Sequence, residues 1–442
     1  MNVILITIDC LRSDHVSCLG YHKRTTRNLD NLAKEGVLFS QAISTGTNTL
    51  ISFPGILASS YPQYRAKDRK WLPKDKPLIS EILKKGGYKT AAFHSAPFLS
   101  RYFSYDRGFD VFYDSFVFKH SKIGGKIMGS KYEMYKGAVL KAKLLFSTFM
   151  SPYIPYEECR IINKRAIQWL QNNAQSGEFF LWLHYMDTHF PYSILKKYSS
   201  WHLSKSSVNK IMRKMVLNKE NITDSELKLI IEMYDSAIRY IDAEIGLFME
   251  KLKEMDLYDS SLIVVTADHG DEFREHGSIG HGSIAHARPQ KPYDELIHVP
   301  LIIRCPGLGK GLIIEQVVSL LDIAPTILDL IGFQREDEFL GESLLTVIRK
   351  RRKTSGVISE SYVFRAQKEI ISYRTSEWKL IVDKNTNEYE LYNLKEDPRE
   401  TKNLYKIETN KAEEMMHKIL YHERLKERER MKRHIKKLKR KI

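Results

Sequence analysis

Two acids, a histidine and a cluster of hydroxyls are the residues of this chain whose types and placement suggest chemistry. Asp9 ends the run Asn2 to Ile8, which is apolar and β-branched almost throughout, and Asp268 with His269 closes a similar run, Leu262 to Val265, far downstream. Such runs predict strands buried on both faces of a sheet. An acid at the end of one stands at the carboxyl edge, where open α/β sheets bind ligands. Taken alone, Asp9 reads equally well as a loop acid capping the next turn; the second stretch of the same design tips the reading toward a shared site. Between them, Thr45, Thr47, Thr49 and Ser52 crowd a loop ahead of Pro54, with a helix expected to begin over Ile56 to Ala58. A hydroxyl at a loop-to-helix junction faces unpaired amides that favour anions, and it serves equally as an ordinary N-cap.

The elements that must position these residues follow from length and pattern. The chain has 442 residues, enough for a large α/β core and a smaller unit, since single cores stop growing near roughly 250 to 300 residues. It is 43% hydrophobic and 11% aromatic, as expected of an ordinary globular protein. The net charge of +16 is unusual, but much of the excess lies in the terminal stretch LKERERMKRHIKKLKRKI. Cys10, Cys18, Cys159 and Cys305 are scattered without metal-ligand spacing, which points to a reducing compartment and no disulfide framework. The first apolar run turns acidic too soon for a signal peptide, and no stretch approaches the roughly 20 apolar residues of a membrane span. A cytoplasmic protein is expected, at most peripheral to a membrane. Helical spacing predicts a helix over Thr26 to Glu35, stopped by Gly36.

The stretches ITIDCLRSDH, the hydroxyl loop ending in SSYP, FLWLHYMDTHFPY, SSLIVVTADHGDEF, EHGSIGHG, YDELIHVPLIIRCPG, SLLDIAPTILDLIG and YRTSEWKLIVDKNTNEYELYNLKEDPRE occur in this order to about Tyr405. Together they resemble the sulfatase family of the alkaline phosphatase superfamily. The resemblance implies an α/β fold, a large mixed sheet flanked by helices with a smaller C-terminal α+β subdomain. The expected division is a catalytic domain over 1–345 with insertions at about 116–155 and 198–228, a subdomain over 346–405, and a basic helical tail over 406–442. It further implies a divalent metal held by Asp9, Asp268 and His269, and a nucleophile at the N-terminus of a helix. Many sulfatases have a second acid after the first strand, where this chain has Cys10. One hard oxygen ligand is thereby lost, so manganese or zinc is the expected ion, with calcium or magnesium as alternatives.

Formylglycine sulfatases open a C/S-x-P-x-R signature at the nucleophile. Counting back from Tyr61-Pro62 with the family's spacing places Thr49 at the nucleophile, Ile51 at the proline and Phe53 at the arginine, so the signature is absent. A threonine oxygen bound to the metal can still attack, with Ser52 as the fallback. The resemblance also assigns His189 and His281 to the ester oxygens or to protonation of the leaving group, with His276 structural. In GGYKTAAFHSAPFLS the family's lysine and histidine are replaced by Ser95 and Pro97, which weakens sulfate specificity more than hydrolysis.

The expected activity is metal-dependent hydrolysis of a sulfate, phosphate or phosphonate ester on a small molecule, glycan or lipid. The alternatives are a group transferase acting on glycan or lipid precursors and a non-catalytic anion-binding protein. VLKAKLLFSTFM, within 116–155, reads as a helix packed on the domain or lying on a membrane. The tail beyond Lys411 reads as a charged helix with a seam of Met431, Ile435, Leu438 and Ile442. It could pair with a second copy, dock on the body, touch anionic lipid or stand in solvent; its place outside the matched region argues against a nucleic-acid partner. Removing it is expected to leave turnover of a small aryl ester unchanged.

Overall fold

The computed structural model describes residues 1–62, 72, 75–114, 156–192, 197–199, 201, 204–217, 221–281, 290–363 and 368–439. The insertion expected over 116–155, VLKAKLLFSTFM included, lies outside them, as do Ile442 and parts of 198–228. The apolar run that opens the chain is strand β1 (Asn2–Ile8), buried at every position. It pairs in parallel with β5 (Phe179–Tyr185) on one side and β6 (Ser261–Ala267) on the other. Both neighbours are buried along their whole length, as a central strand covered on two faces requires. Beyond β5 come β3 (Lys89–His94) and β4 (Val111–Asp114), also parallel. Beyond β6, β9 (His298–Arg304) runs antiparallel and leads to β2 (Val37–Ile43), which carries β10 (Leu312–Ile314) and β11 (Val318–Ser319). Among the described residues this is a mixed sheet of nine strands with β1 near its centre.

The helix Arg27–Glu35 matches its expected bounds to within one residue. The helix after the hydroxyl loop does not: it spans Thr49–Ala58 and contains Pro54, where a start at Ile56 was expected. The Asn48 side chain accepts from the Ile51 amide (3.3 Å) and caps the earlier start. Pro54, the sixth helical residue, has no N–H to offer the Leu50 carbonyl, so the helix gives up one bond there. The consequence is that Thr49 is the first helical residue.

A second sheet, β12 (Val357–Val363), β13 (Lys368–Arg374), β14 (Trp378–Asp383) and β15 (Glu388–Asn393), is antiparallel throughout. The helix Thr409–Lys439 lies on it, with Ala412, Met415 and Ile419 packed against Ile371, Leu380 and Leu391. Its first turns therefore dock on the body, while Met431 and Ile435 further along are exposed.

Strand β12 also faces the hydroxyl loop. The Glu360 amide donates to the Thr45 carbonyl (2.9 Å), Ser359 Oγ donates to the Ser44 carbonyl (2.5 Å), and Thr47 Oγ1 donates to Ser361 Oγ (3.0 Å). The fully buried Glu360 carboxylate is held by His422 Nε2 (2.7 Å) and Lys426 Nζ (2.5 Å) of the C-terminal helix. Burial alone would raise this acid; Lys426 and His422 outweigh it and hold Glu360 at about 2. The expectation that the tail is dispensable stands against this contact: the tail supplies both basic partners of a buried charge beside the loop that leads to Thr49. Lys426→Ala removes one partner while the helix still covers Glu360, a loss that costs about 3–5 kcal/mol, so this variant should melt well below wild type, and adding Glu360→Gln should recover part of the difference. Because its pKa is depressed on folding, Glu360 stabilises the intact chain above its unfolded value near 4.5 and ceases to do so as pH falls toward about 2. Acid melts of wild type and Glu360→Gln should converge across that window; parallel curves would refute the assignment.

Candidate active site

The site lies at the carboxyl edge of the central strands. Parallel pairing in register brings Ile8 opposite Ala267, so Asp9 and Asp268, each the next residue, leave the sheet side by side. One carboxylate oxygen from each of Asp9 and Asp268 and one ring nitrogen of His269 lie within 4.8 Å of one another, and all three residues are buried. His269 Nδ1 donates to the Gly270 carbonyl (2.8 Å), which leaves Nε2 to face Asp268 Oδ2 (3.4 Å) and Thr49 Oγ1 (3.2 Å). Thr49 Oγ1 also lies 3.3 Å from Asp9 Oδ2. Thr49 thus meets the acids and the histidine from the N-terminus of its helix, and the residues picked out from distant stretches of sequence form one buried cluster.

The electrostatics of the cluster fit a divalent cation. Two carboxylates buried together cannot both ionise cheaply without a positive charge. Burial first, and then the charge on Asp9, raises Asp268. Burial also acts to raise Asp9, but His189, the hydrogen bond from His184, and His269 outweigh it and keep Asp9 below the usual carboxylate range. For His269, burial opposes protonation, yet Asp268 and Asp9 prevail and raise it. Asp268 Oδ2 has no hydrogen-bond partner among the described residues. A buried acceptor without a donor, aimed at a second carboxylate and an imidazole nitrogen, matches what a bound cation would satisfy.

His281 and His189 border the same space, with ring centroids 4.9 Å apart and His281 4.4 Å from His269. His281 Nδ1 meets Asp271 Oδ1 (3.0 Å), and burial, then His269, lowers His281 to about 4, so it is neutral near pH 7. His189 Nδ1 faces the Phe190 carbonyl (2.5 Å) and Tyr156 Oη (3.2 Å). The other expected positions lie apart from the cluster. Ser52 keeps its hydroxyl on its own helix, 3.5 Å from the Thr49 carbonyl. His276 stacks on Tyr293 and pairs with Glu295.

Three contributors were not read from the sequence. His184 points Nε2 at Asp9 Oδ2 (3.4 Å) from the end of β5; its place near the end of an apolar strand, like that of Asp9, was the available signal. Tyr234 closes the turn after β1, donating to the Cys10 carbonyl (2.6 Å) and accepting from the Arg12 amide (2.9 Å). Cys10 itself adopts φ +59° and points Sγ into the site, 2.8 Å from Asp9 Oδ1.

The sulfatase family model matches residues 1–333, and the model of the C-terminal part of N-sulphoglucosamine sulphohydrolase matches residues 290–430. The chain belongs to the sulfatase family. It is 24% identical to an arylsulfatase of Clostridium perfringens over 96% of this chain and 94% of that one. It is 30% identical to arylsulfatase K of Mus musculus, a match that covers 41% of this chain but only 34% of the mouse protein. The phosphonate monoester hydrolase of Agrobacterium radiobacter shares the fold with a TM-score of 0.70 at 19% identity, over 96% of this chain and 94% of that one. Among the described residues no helix is long and apolar enough to cross a membrane.

A cation that relieves the Asp9–Asp268 repulsion must stabilise the fold that brings them together. Metal-stripped protein should gain melting temperature when manganese or zinc is added, by about 2.7 kcal/mol of stability at a hundred times the dissociation constant. Asp268→Ala should abolish the gain. An equal gain in that variant would place the ion elsewhere.

Proposed function

We propose that this protein is a metal-dependent ester hydrolase that uses Thr49 as its nucleophile on a sulfate, phosphate or phosphonate ester. The observation that carries the reading is the position of Thr49 Oγ1, at the start of a helix and 3.3 and 3.2 Å from Asp9 Oδ2 and His269 Nε2. A divalent cation held by Asp9, Asp268 and His269, manganese or zinc by the mix of carboxylate and imidazole donors, would supply positive charge for the anionic ester and lower the pKa of the hydroxyl. The amides of the first helical turn favour the same anion.

Thr49 Oγ1, its pKa lowered by the cation that the acids and His269 would hold, gives up its proton to solvent and forms a bond to the sulfur or phosphorus centre. The bond from that centre to the ester oxygen breaks, and His189, at the rim of the cluster, protonates the leaving oxygen. Water then cleaves the threonine ester and releases sulfate, phosphate or phosphonate according to the substrate. Neutral His281 binds rather than donates in this scheme. Lacking Cys or Ser at position 49, the chain does not depend on formylglycine conversion.

The test is turnover of matched aryl sulfate, phosphate monoester, phosphate diester and phosphonate monoester by metal-stripped protein resupplied with manganese, zinc, magnesium or calcium in turn. Turnover should require added metal, and the preferred ester defines the substrate class. Thr49→Ala should lower turnover by at least about a thousandfold, on the scale seen when a nucleophile is removed, while still binding metal. Full activity in Thr49→Ala would overturn the assignment.

A further inference from the structure

The helix Thr409–Lys439 carries apolar residues on two faces, and the fold occupies one of them. Ala412, Met415 and Ile419 pack on the smaller sheet, and His422 and Lys426 continue that face to the buried Glu360. At about 100° of rotation per residue these five positions share one stripe, and Leu420, Tyr421, Met431 and Ile435 form a second one roughly 160° round the helix. The four outer residues are 41%, 61%, 58% and 53% exposed. Among the described residues, none beyond Lys426 makes a hydrogen bond or ion pair to the body. The outer stripe therefore runs on along a part of the helix that the fold does not need to cover.

Charge decides what can cover it. Between Arg424 and Ile442 the sequence carries eleven lysines and arginines against two glutamates. By the same rotation Arg424 and Arg428 fall within the outer stripe, between Tyr421 and Met431, and both are exposed. A second copy of the helix would have to seat these arginines at positions where a paired seam requires apolar knobs, and like charges would face each other there. A nucleic acid would meet the charge but offer Met431 and Ile435 no apolar surface. A bilayer rich in anionic lipid satisfies both, because apolar side chains enter the acyl boundary while arginine and lysine reach the headgroup phosphates.

We propose that the C-terminal helix is a membrane-surface anchor that lies in the headgroup plane of an anionic bilayer through Leu420, Tyr421, Met431 and Ile435. Its opposite face holds the body through the Glu360 network, so the anchor tethers the whole protein to the surface. Binding of this kind is reversible and weakens as salt screens the basic side chains. It is independent of the reaction proposed for Thr49.

The test is co-sedimentation of the full-length protein with vesicles of equal parts phosphatidylcholine and phosphatidylglycerol, and with vesicles of phosphatidylcholine alone. The protein should sediment with the first and not the second, and rising ionic strength should release it. The double variant Met431→Gln, Ile435→Gln should bind the anionic vesicles at least about tenfold more weakly, from the apolar area it no longer buries. Its melting temperature should match wild type, since both side chains are exposed. Equal vesicle binding by the double variant would overturn the anchor, as would failure to sediment with either vesicle. Binding to a duplex DNA oligomer as tightly as to anionic vesicles, unchanged in the double variant, would overturn it in favour of a nucleic acid. A lipid-free dimer that the double variant loses would overturn it in favour of a second copy.

Discussion

Two buried carboxylates held side by side are the constraint around which this molecule is built. Parallel registration of β1 with β6 delivers Asp9 and Asp268 to one point of the sheet edge, where neither is exposed to water. In that setting their repulsion is not screened, and it must be met by positive charge. His269, which Asp268 and Asp9 push toward protonation, supplies part of it. The unpartnered Asp268 Oδ2 marks what remains. Sheet order, turn conformation and the approach of the Thr49 helix can each be understood as bringing groups to this point.

The smaller sheet contributes to the site although it carries none of the clustered side chains. Strand β12 is hydrogen-bonded to the loop Ser44 to Thr47 at three places, and this loop leads into the helix that begins with Thr49. Beneath it, Glu360 is locked by His422 and Lys426 from the C-terminal helix. Ser44 Oγ ties the other side of the loop to the Asp268 carbonyl (2.5 Å). The hydroxyl at position 49 is therefore placed by contacts from both sheets, and the basic C-terminal helix takes part in the fold through one buried ion-pair network.

Much of this was legible in the amino-acid sequence, for identifiable reasons. An uninterrupted β-branched run ending in an acid admits few interpretations, so β1 and Asp9 were recognisable, and Asp268-His269 repeated the pattern. Thr49 was found by spacing within the family resemblance, even though Pro54 obscured where its helix begins. His184 was harder to see because a histidine near the end of an apolar strand is a weak signal until the neighbouring strand that carries Asp9 is known. Cys10 was understood as a ligand lost; its direction depends on a left-handed turn that no local pattern announces. The role of the C-terminal helix was hidden because a charged, weakly amphipathic sequence does not reveal that a lysine and a histidine have a buried acid waiting for them.

The central claim is that Thr49 Oγ1 becomes bonded to the sulfur or phosphorus of the substrate. The most direct measurement is mass spectrometry of the peptide spanning Thr49 after acid quenching of metal-loaded protein during turnover of its best aryl ester. A sulfuryl, phosphoryl or phosphonyl adduct on Thr49 is the expected result. An adduct found on another residue, or product formation with Thr49 unmodified at every time sampled, would contradict it.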